Sequence, residues 1–161
     1  MIANRLVLDT NVCLDLFVFQ DARWSRLHTA LETGSTEAFT RADCRAEWLL
    51  VLQYPRFSLD AKQISDCVAA FDRYITCLPI RDGGAGAGMK ADSGGSALPR
   101  CSDTDDQKFL ETMQDSDAAV LITKDKALLK LAGKCRRAGL FDIVTPQTWI
   151  AQISSLTAST Y

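Results

Sequence analysis

Carboxylates recur in this chain where regular structure begins or ends. Leu6-Val7-Leu8 runs straight into Asp9-Thr10-Asn11, and Val120-Leu121-Ile122 runs into Thr123-Lys124-Asp125. Between them lies the cluster Asp103-Thr104-Asp105-Asp106, and Glu47 sits inside an apolar helical pattern. An acid left beside a core needs a partner, because an unpaired buried charge is costly. Acids that converge on one spot repel each other, and a divalent cation relieves that repulsion. The chemistry this pattern allows is metal-assisted, with oxygen ligands that suit Mg²⁺ or Mn²⁺.

Other chemistries find less support. His28 is the only histidine, so neither a triad nor a histidine zinc site can be built around it. The six cysteines (13, 44, 67, 77, 101 and 135) form no C-x-x-C pair, and most lie within apolar patterns, as expected for reduced buried thiols. The 161 residues suffice for one domain, 1–161, with a real core. At 47% apolar and 24% charged the composition is that of a globular protein. No apolar run is long enough for a membrane helix, and Met1 to Arg5 leaves no room for a signal peptide, so a cytoplasmic location is expected. The net charge of −2 gives no global footprint for nucleic acid. Basic residues do cluster locally, at Lys124, Lys126, Lys130, Lys134, Arg136 and Arg137.

The elements that must position the acids can be read from periodicity. Arg5 to Asp9 reads as a buried strand and Thr10 to Phe19 as a helix, with Val12, Leu16 and Phe19 in its stripe. Trp24, Leu27 and Leu31 mark a second helix that Gly34 can end. Glu37 to Thr40 is a strand, and Arg41 to Gln53 a helix closed by Pro55. Ser58 or Asp60 can cap the next helix, whose stripe is Ile64, Val68, Phe71 and Ile75. Cys77 to Ile80 reads as a strand. Residues 81–97 hold six glycines among Ala and Ser and read as a flexible loop. Asp103 can cap a helix, and Thr104 with Gln107 offers an alternative capping box. Val120 to Ile122 and Phe141 to Val144 are strands, a short helix carries Leu128, and Thr145-Pro146 opens the last helix. Strands alternating with helices give an α/β domain with a parallel sheet.

In such sheets ligands bind beyond the carboxyl ends of the strands, where Asp9 and Asp125 fall. Asp106 lies in a first helical turn, where the helix dipole favours a carboxylate. Each acid also has a plain structural role open to it. Asp9, Asp103 and Asp125 can cap helices, and Glu47 can be a rim acid.

Taken jointly, Leu8-Asp9-Thr10-Asn11-Val12, the helix acid Glu47, the Asp103-x-x-Asp106 helix start and Ile122-Thr123-Lys124-Asp125 resemble the PIN-domain nuclease family. The likeness spans nearly the whole chain and is greatest to the bacterial branch of toxins from toxin–antitoxin pairs, the VapC-type ribonucleases. It implies a three-layer α/β/α domain around a central parallel sheet of about five strands. It implies a metal-dependent endoribonuclease that cuts single-stranded or structured RNA with one or two Mg²⁺ or Mn²⁺ ions. By motif, Asp9, Glu47, Asp106 and Asp125 become the catalytic metal ligands and Asp103 a supporting one. Thr10, Asn11 and Thr123 become positioning residues. A cognate antitoxin and a homodimer are the implied protein partners. Lys124, Lys130, Lys134, Arg136 and Arg137 would hold the RNA backbone, with Lys126 pointing away.

The chain departs from that pattern at Thr104, where the branch commonly has proline, and in the glycine-rich stretch. Haloacid-dehalogenase-like phosphatases also place an acid after the first strand, but they need a second acid where this chain has Asn11. Receiver domains need a strand-end acid mid-chain, which is missing. The alternative that remains is a catalytically silent PIN-like scaffold for RNA or protein.

Overall fold

Leu6, Val7 and Leu8 are all buried, yet they do not share a core. Side chains alternate across a strand. Leu6 and Leu8 therefore join one apolar cluster with Trp48, Phe71 and Trp149, and Val7 joins another with Phe109, Leu110 and Leu128. A strand apolar on both faces belongs mid-sheet, covered on both sides. In the computed structural model, which describes residues 1–80 and 97–158, that strand is β1 (Ile2–Leu8).

The other strands are β2 (Glu37–Arg41), β3 (Ile75–Leu78), β4 (Ala118–Ile122) and β5 (Asp142–Val144). They form one five-stranded sheet in the order β3-β2-β1-β4-β5, parallel throughout. The chain moves outward from β1 through β2 to β3, then returns to the other flank of β1. This reversal opens a crevice at the carboxyl ends of β1 and β4. The register pairs Leu8 with Ile122, and the Asp9 N–H donates to the Ile122 carbonyl at 3.0 Å. The residue after β1 therefore lies beside the residue after β4.

Helices fill both faces. They are α1 (Thr10–Cys13), α2 (Ser25–Glu32), α3 (Ala42–Val51), α4 (Ala61–Tyr74), α5 (Gln107–Ser116), α6 (Lys126–Leu129), α7 (Ala132–Arg137) and α8 (Pro146–Ala158). Residues of α5, α6 and α7 share the cluster that contains Val7. Buried Arg41 ties β2 to the helices on either side of it, through Asp43, Glu111 and Asp115. The six cysteines are free, and all but Cys77 are buried. Among the described residues no helix is long and apolar enough to cross a membrane.

Several sequence expectations need correction. The helix expected over Thr10 to Phe19 is α1 followed by a π turn, Leu14–Val18, and Phe19 closes that turn at the surface. Ile75, expected in the helical stripe, opens β3 opposite Ala38, so the strand precedes the expected Cys77–Ile80 by two residues. Ile75-Thr76 is β-branched and prefers extended backbone. Ser58 takes a left-handed φ of 49° and ends a short turn, while Asp60 caps α4 in a capping box with Gln63. The Thr104–Gln107 box is absent. Gln107 instead accepts from the Cys101 N–H and donates to the Pro99 carbonyl. The loop expected over 81–97 lies, save for Ala97, outside the described residues.

Candidate active site

Asp9 is the N-cap of α1, and its Oδ1 accepts the Thr10 N–H at 2.7 Å. Its other oxygen, Oδ2, accepts the Thr123 hydroxyl at 2.7 Å. The side chain is only 4% exposed. Loss of hydration raises its pKa from 3.8 to about 6, against the pull of these two hydrogen bonds. Glu47 and Asp125 add to the rise. The Thr123 hydroxyl also accepts the Asp125 N–H at 2.9 Å. Asp125 in turn caps α6, accepting the Ala127 N–H at 2.7 Å.

Asp106 ends a 3-10 turn, Thr104–Asp106, and precedes α5. Its Oδ2 is buried and has no hydrogen-bond partner. Burial lifts its pKa to about 7, helped by the charges of Asp125, Asp9, Asp103 and Glu47. Glu47 reaches in from α3, accepts a short hydrogen bond from the Thr10 hydroxyl and pairs with Lys108 of α5 at 3.0 Å. The Lys108 ammonium also donates to the Asp105 carbonyl at 2.6 Å.

Asp9, Glu47, Asp106 and Asp125 line one pocket of about 130 Å³, together with Thr10, Asn11, Val51 and Arg56. The crevice thus gathers acids from the caps of α1 and α6, just beyond the ends of β1 and β4, from α3 and from the turn before α5. Among the described residues, no three His, Cys, Asp or Glu side chains are already drawn into a metal cage. Glu47 is turned to Thr10 and Lys108, and both Asp9 oxygens have donors. The donor set is nonetheless all oxygen, and the orphaned Asp106 Oδ2 is an unmet acceptor that a hard cation would satisfy.

Other expected residues fall elsewhere. Asp103 is exposed and caps the turn before α5 by accepting the Asp105 N–H at 3.0 Å; it does not line the pocket. Thr123 does not line it either, acting from behind Asp9. Of the basic cluster, Lys124 pairs with the buried Asp15 at 2.6 Å and Arg136 with Asp142 at 3.4 Å. Lys126, Lys130, Lys134 and Arg137 are exposed. None of these bases lines the pocket.

Sequence reasoning missed Lys108, Arg56 and Asp15. Lys108 carried a signal, as the lone base among six acids between Cys101 and Thr123. Arg56 stood between two aromatic residues, Tyr54 and Phe57, in a proline turn. Asp15 is tied to the Trp24 indole N–H at 3.1 Å, a contact no spacing foretells.

A family model described as a PIN domain matches residues 5–127, which runs from the middle of β1 to the start of α6 and includes all four pocket acids. No curated protein matches the chain.

Proposed function

The chain belongs to the PIN domain family, whose members are generally nucleases, and on that premise we propose a metal-dependent endoribonuclease that cuts single-stranded or structured RNA. Its role would be that of the toxin in a cytoplasmic toxin–antitoxin pair, with an antitoxin and a second copy of the chain as protein partners. The observation that carries the reading is the single pocket lined by Asp9, Glu47, Asp106 and Asp125.

Asp9, Asp106 and Asp125 would hold Mg²⁺ or Mn²⁺, with Glu47 completing the set. The ion would supply Lewis acidity at the scissile phosphate and a more acidic water. Thr123 holds Asp9 and the Asp125 backbone in fixed directions. Thr10 holds Glu47. Asp106 Oδ2, with no donor of its own, is free to bind the ion or to take a proton from the attacking water. Asn11 lines the pocket as an exposed positioning residue. Lys130, Lys134 and Arg137 would contact RNA phosphates, which position a strand and do not read its sequence.

The test is cleavage of single-stranded RNA with Mg²⁺, with Mn²⁺ and with EDTA, by wild type and Asp9→Asn. Cutting is expected with either ion alone in the wild type; cutting that survives chelation or the substitution overturns the mechanism. One observation favours a silent scaffold instead: Lys108 already neutralises Glu47. Calorimetry separates the two, since a scaffold gives no Mn²⁺ binding that Asp9→Asn removes.

A further inference from the structure

Beside the acid pocket the surface turns aromatic. A 3-10 turn, Pro55–Phe57, follows the helix that carries Glu47. The Arg56 guanidinium lies 5.6 Å from the Tyr54 ring centroid and 4.8 Å from that of Phe57. The Phe57 ring meets Phe19, from the end of the π turn, at 5.9 Å. Tyr54 is 39% and Phe19 56% exposed. The backbone beneath them is held. The Tyr54 N–H donates to the Val51 carbonyl at 3.0 Å, that of Phe57 to Tyr54 at 3.1 Å and that of Ser58 to Pro55 at 3.0 Å.

Phe57 is half-buried and packs against the core, which anchors the turn, whereas Tyr54, Arg56 and Phe19 stand at the surface. An exposed cation–π contact contributes weakly to stability, and grouped exposed rings mark a binding surface. Arg56 alone belongs to both regions, because it also lines the acid pocket. Among the described residues its contacts are the two rings, with no ion pair or hydrogen bond.

We infer that Tyr54, Arg56, Phe57 and Phe19 form a platform that stacks an unpaired nucleobase of the strand whose phosphate enters the acid pocket. The inference rests on the nuclease reading above and adds how the substrate is held. Charge selects the occupant. A phosphate approaching four carboxylates is repelled unless a cation meets it, and Arg56 is the basic side chain that lines the pocket. The rings beside it offer faces that any base can cover, which is how single strands are held without sequence preference. A duplex keeps its bases stacked on each other and has no free face to give. The platform therefore selects single-stranded or looped nucleic acid.

The experiment measures anisotropy of a short labelled RNA and of an abasic strand of equal length and charge. It uses the full chain with Ca²⁺ in place of Mg²⁺ to stop turnover. Tyr54→Ala should weaken RNA binding about tenfold and leave the abasic strand nearly unchanged. Tyr54→Trp should restore the loss, and Arg56→Ala should weaken both strands. Phe19→Ala gives the same readout at a second exposed ring should Tyr54→Ala not fold. Equal RNA binding by wild type and the ring variants overturns the platform, as does an equal loss for both strands. So does a finding that Tyr54→Ala dissolves a dimer while RNA binding stays the same. Cleavage is followed in parallel. Wild-type cutting with an unaltered KM in Tyr54→Ala sinks the platform and leaves the nuclease reading standing. Base-dependent binding with no cutting does the reverse.

Discussion

Thr123 donates its hydroxyl hydrogen to Asp9 Oδ2 at 2.7 Å across 114 positions of sequence, and the Thr123 hydroxyl oxygen itself accepts the Asp125 N–H at 2.9 Å. One buried hydroxyl thereby fixes two acids from different strand ends. Thr123→Val keeps the shape and removes both bonds. It should cost about 1–3 kcal/mol in urea unfolding, the price of an unsatisfied buried group. It should also raise the Asp9 pKa further, since the Thr123 bond is the largest influence lowering it. Thr123→Ser should stay close to wild type. A Val variant of unchanged stability would show that the bond is dispensable.

Asp9 and Asp106 set a pH dependence of defined sign. Their folded pKa values, about 6 and about 7, lie above the ordinary 3.8. The folded state thus favours the protonated acids. The stability they allow is complete below 3.8, and it is lost as pH rises through about 6 for Asp9 and about 7 for Asp106. Without divalent ions, the melting temperature of wild type should therefore fall more steeply over this window than that of Asp106→Asn. Asp9→Asn should melt at or above the wild-type temperature at neutral pH. A large fall would mean that Asp9 serves the fold as a cap.

Asp125 has two tasks that substitutions can separate. As N-cap of α6 it accepts the Ala127 N–H, which asparagine can also do. Asp125→Asn should unfold at nearly the wild-type denaturant midpoint, and Asp125→Ala should lose about 1 kcal/mol. Both should abolish RNA cleavage. Cleavage retained in Asp125→Asn would limit this residue to capping.

Lys108 competes for Glu47. Its pair with Glu47 is half-buried, so Lys108→Met should lower stability by about 1 kcal/mol. It also frees Glu47 and removes a positive charge beside the acids. Calorimetric Mn²⁺ affinity should then rise several-fold. A weaker affinity would show that Lys108 holds Glu47 in the orientation the ion needs.

Lys130 and Lys134 are exposed, whereas Lys124 and Arg136 already have acidic partners. If the exposed pair contacts phosphates, replacing both with alanine should flatten the salt dependence of RNA binding by roughly one unit per lost contact. Cleavage-site preference should not move. An unchanged slope would mean that these lysines only form a solvated surface and take no part in substrate binding.

Asp9 and Asp125 were legible because an apolar run that stops at an acid marks the end of a buried strand. The parallel sheet then brings such ends to one edge. Asp106 was legible from its place at a helix start. The partners of Glu47 were not, because the Glu47–Lys108 pair joins α3 to α5 across 61 residues, and periodicity reports burial of one element at a time. Ile75 was misplaced for a related reason. It is buried in the strand as it would have been in the helix, so its spacing could not tell them apart. Arg56 escaped notice because its role depends on where a surface turn folds back beside the crevice.

The pairing of β1 with β4 also sets when the site comes into being. Asp9 is made well before its partners, since the carbonyl that receives its N–H and the hydroxyl that holds its carboxylate belong to Ile122 and Thr123. During translation the amino-terminal half can join β1 to β2 and still have no pocket. A chain that stops before Thr123 therefore lacks the hydroxyl that holds the Asp9 carboxylate and the acid that completes the pocket.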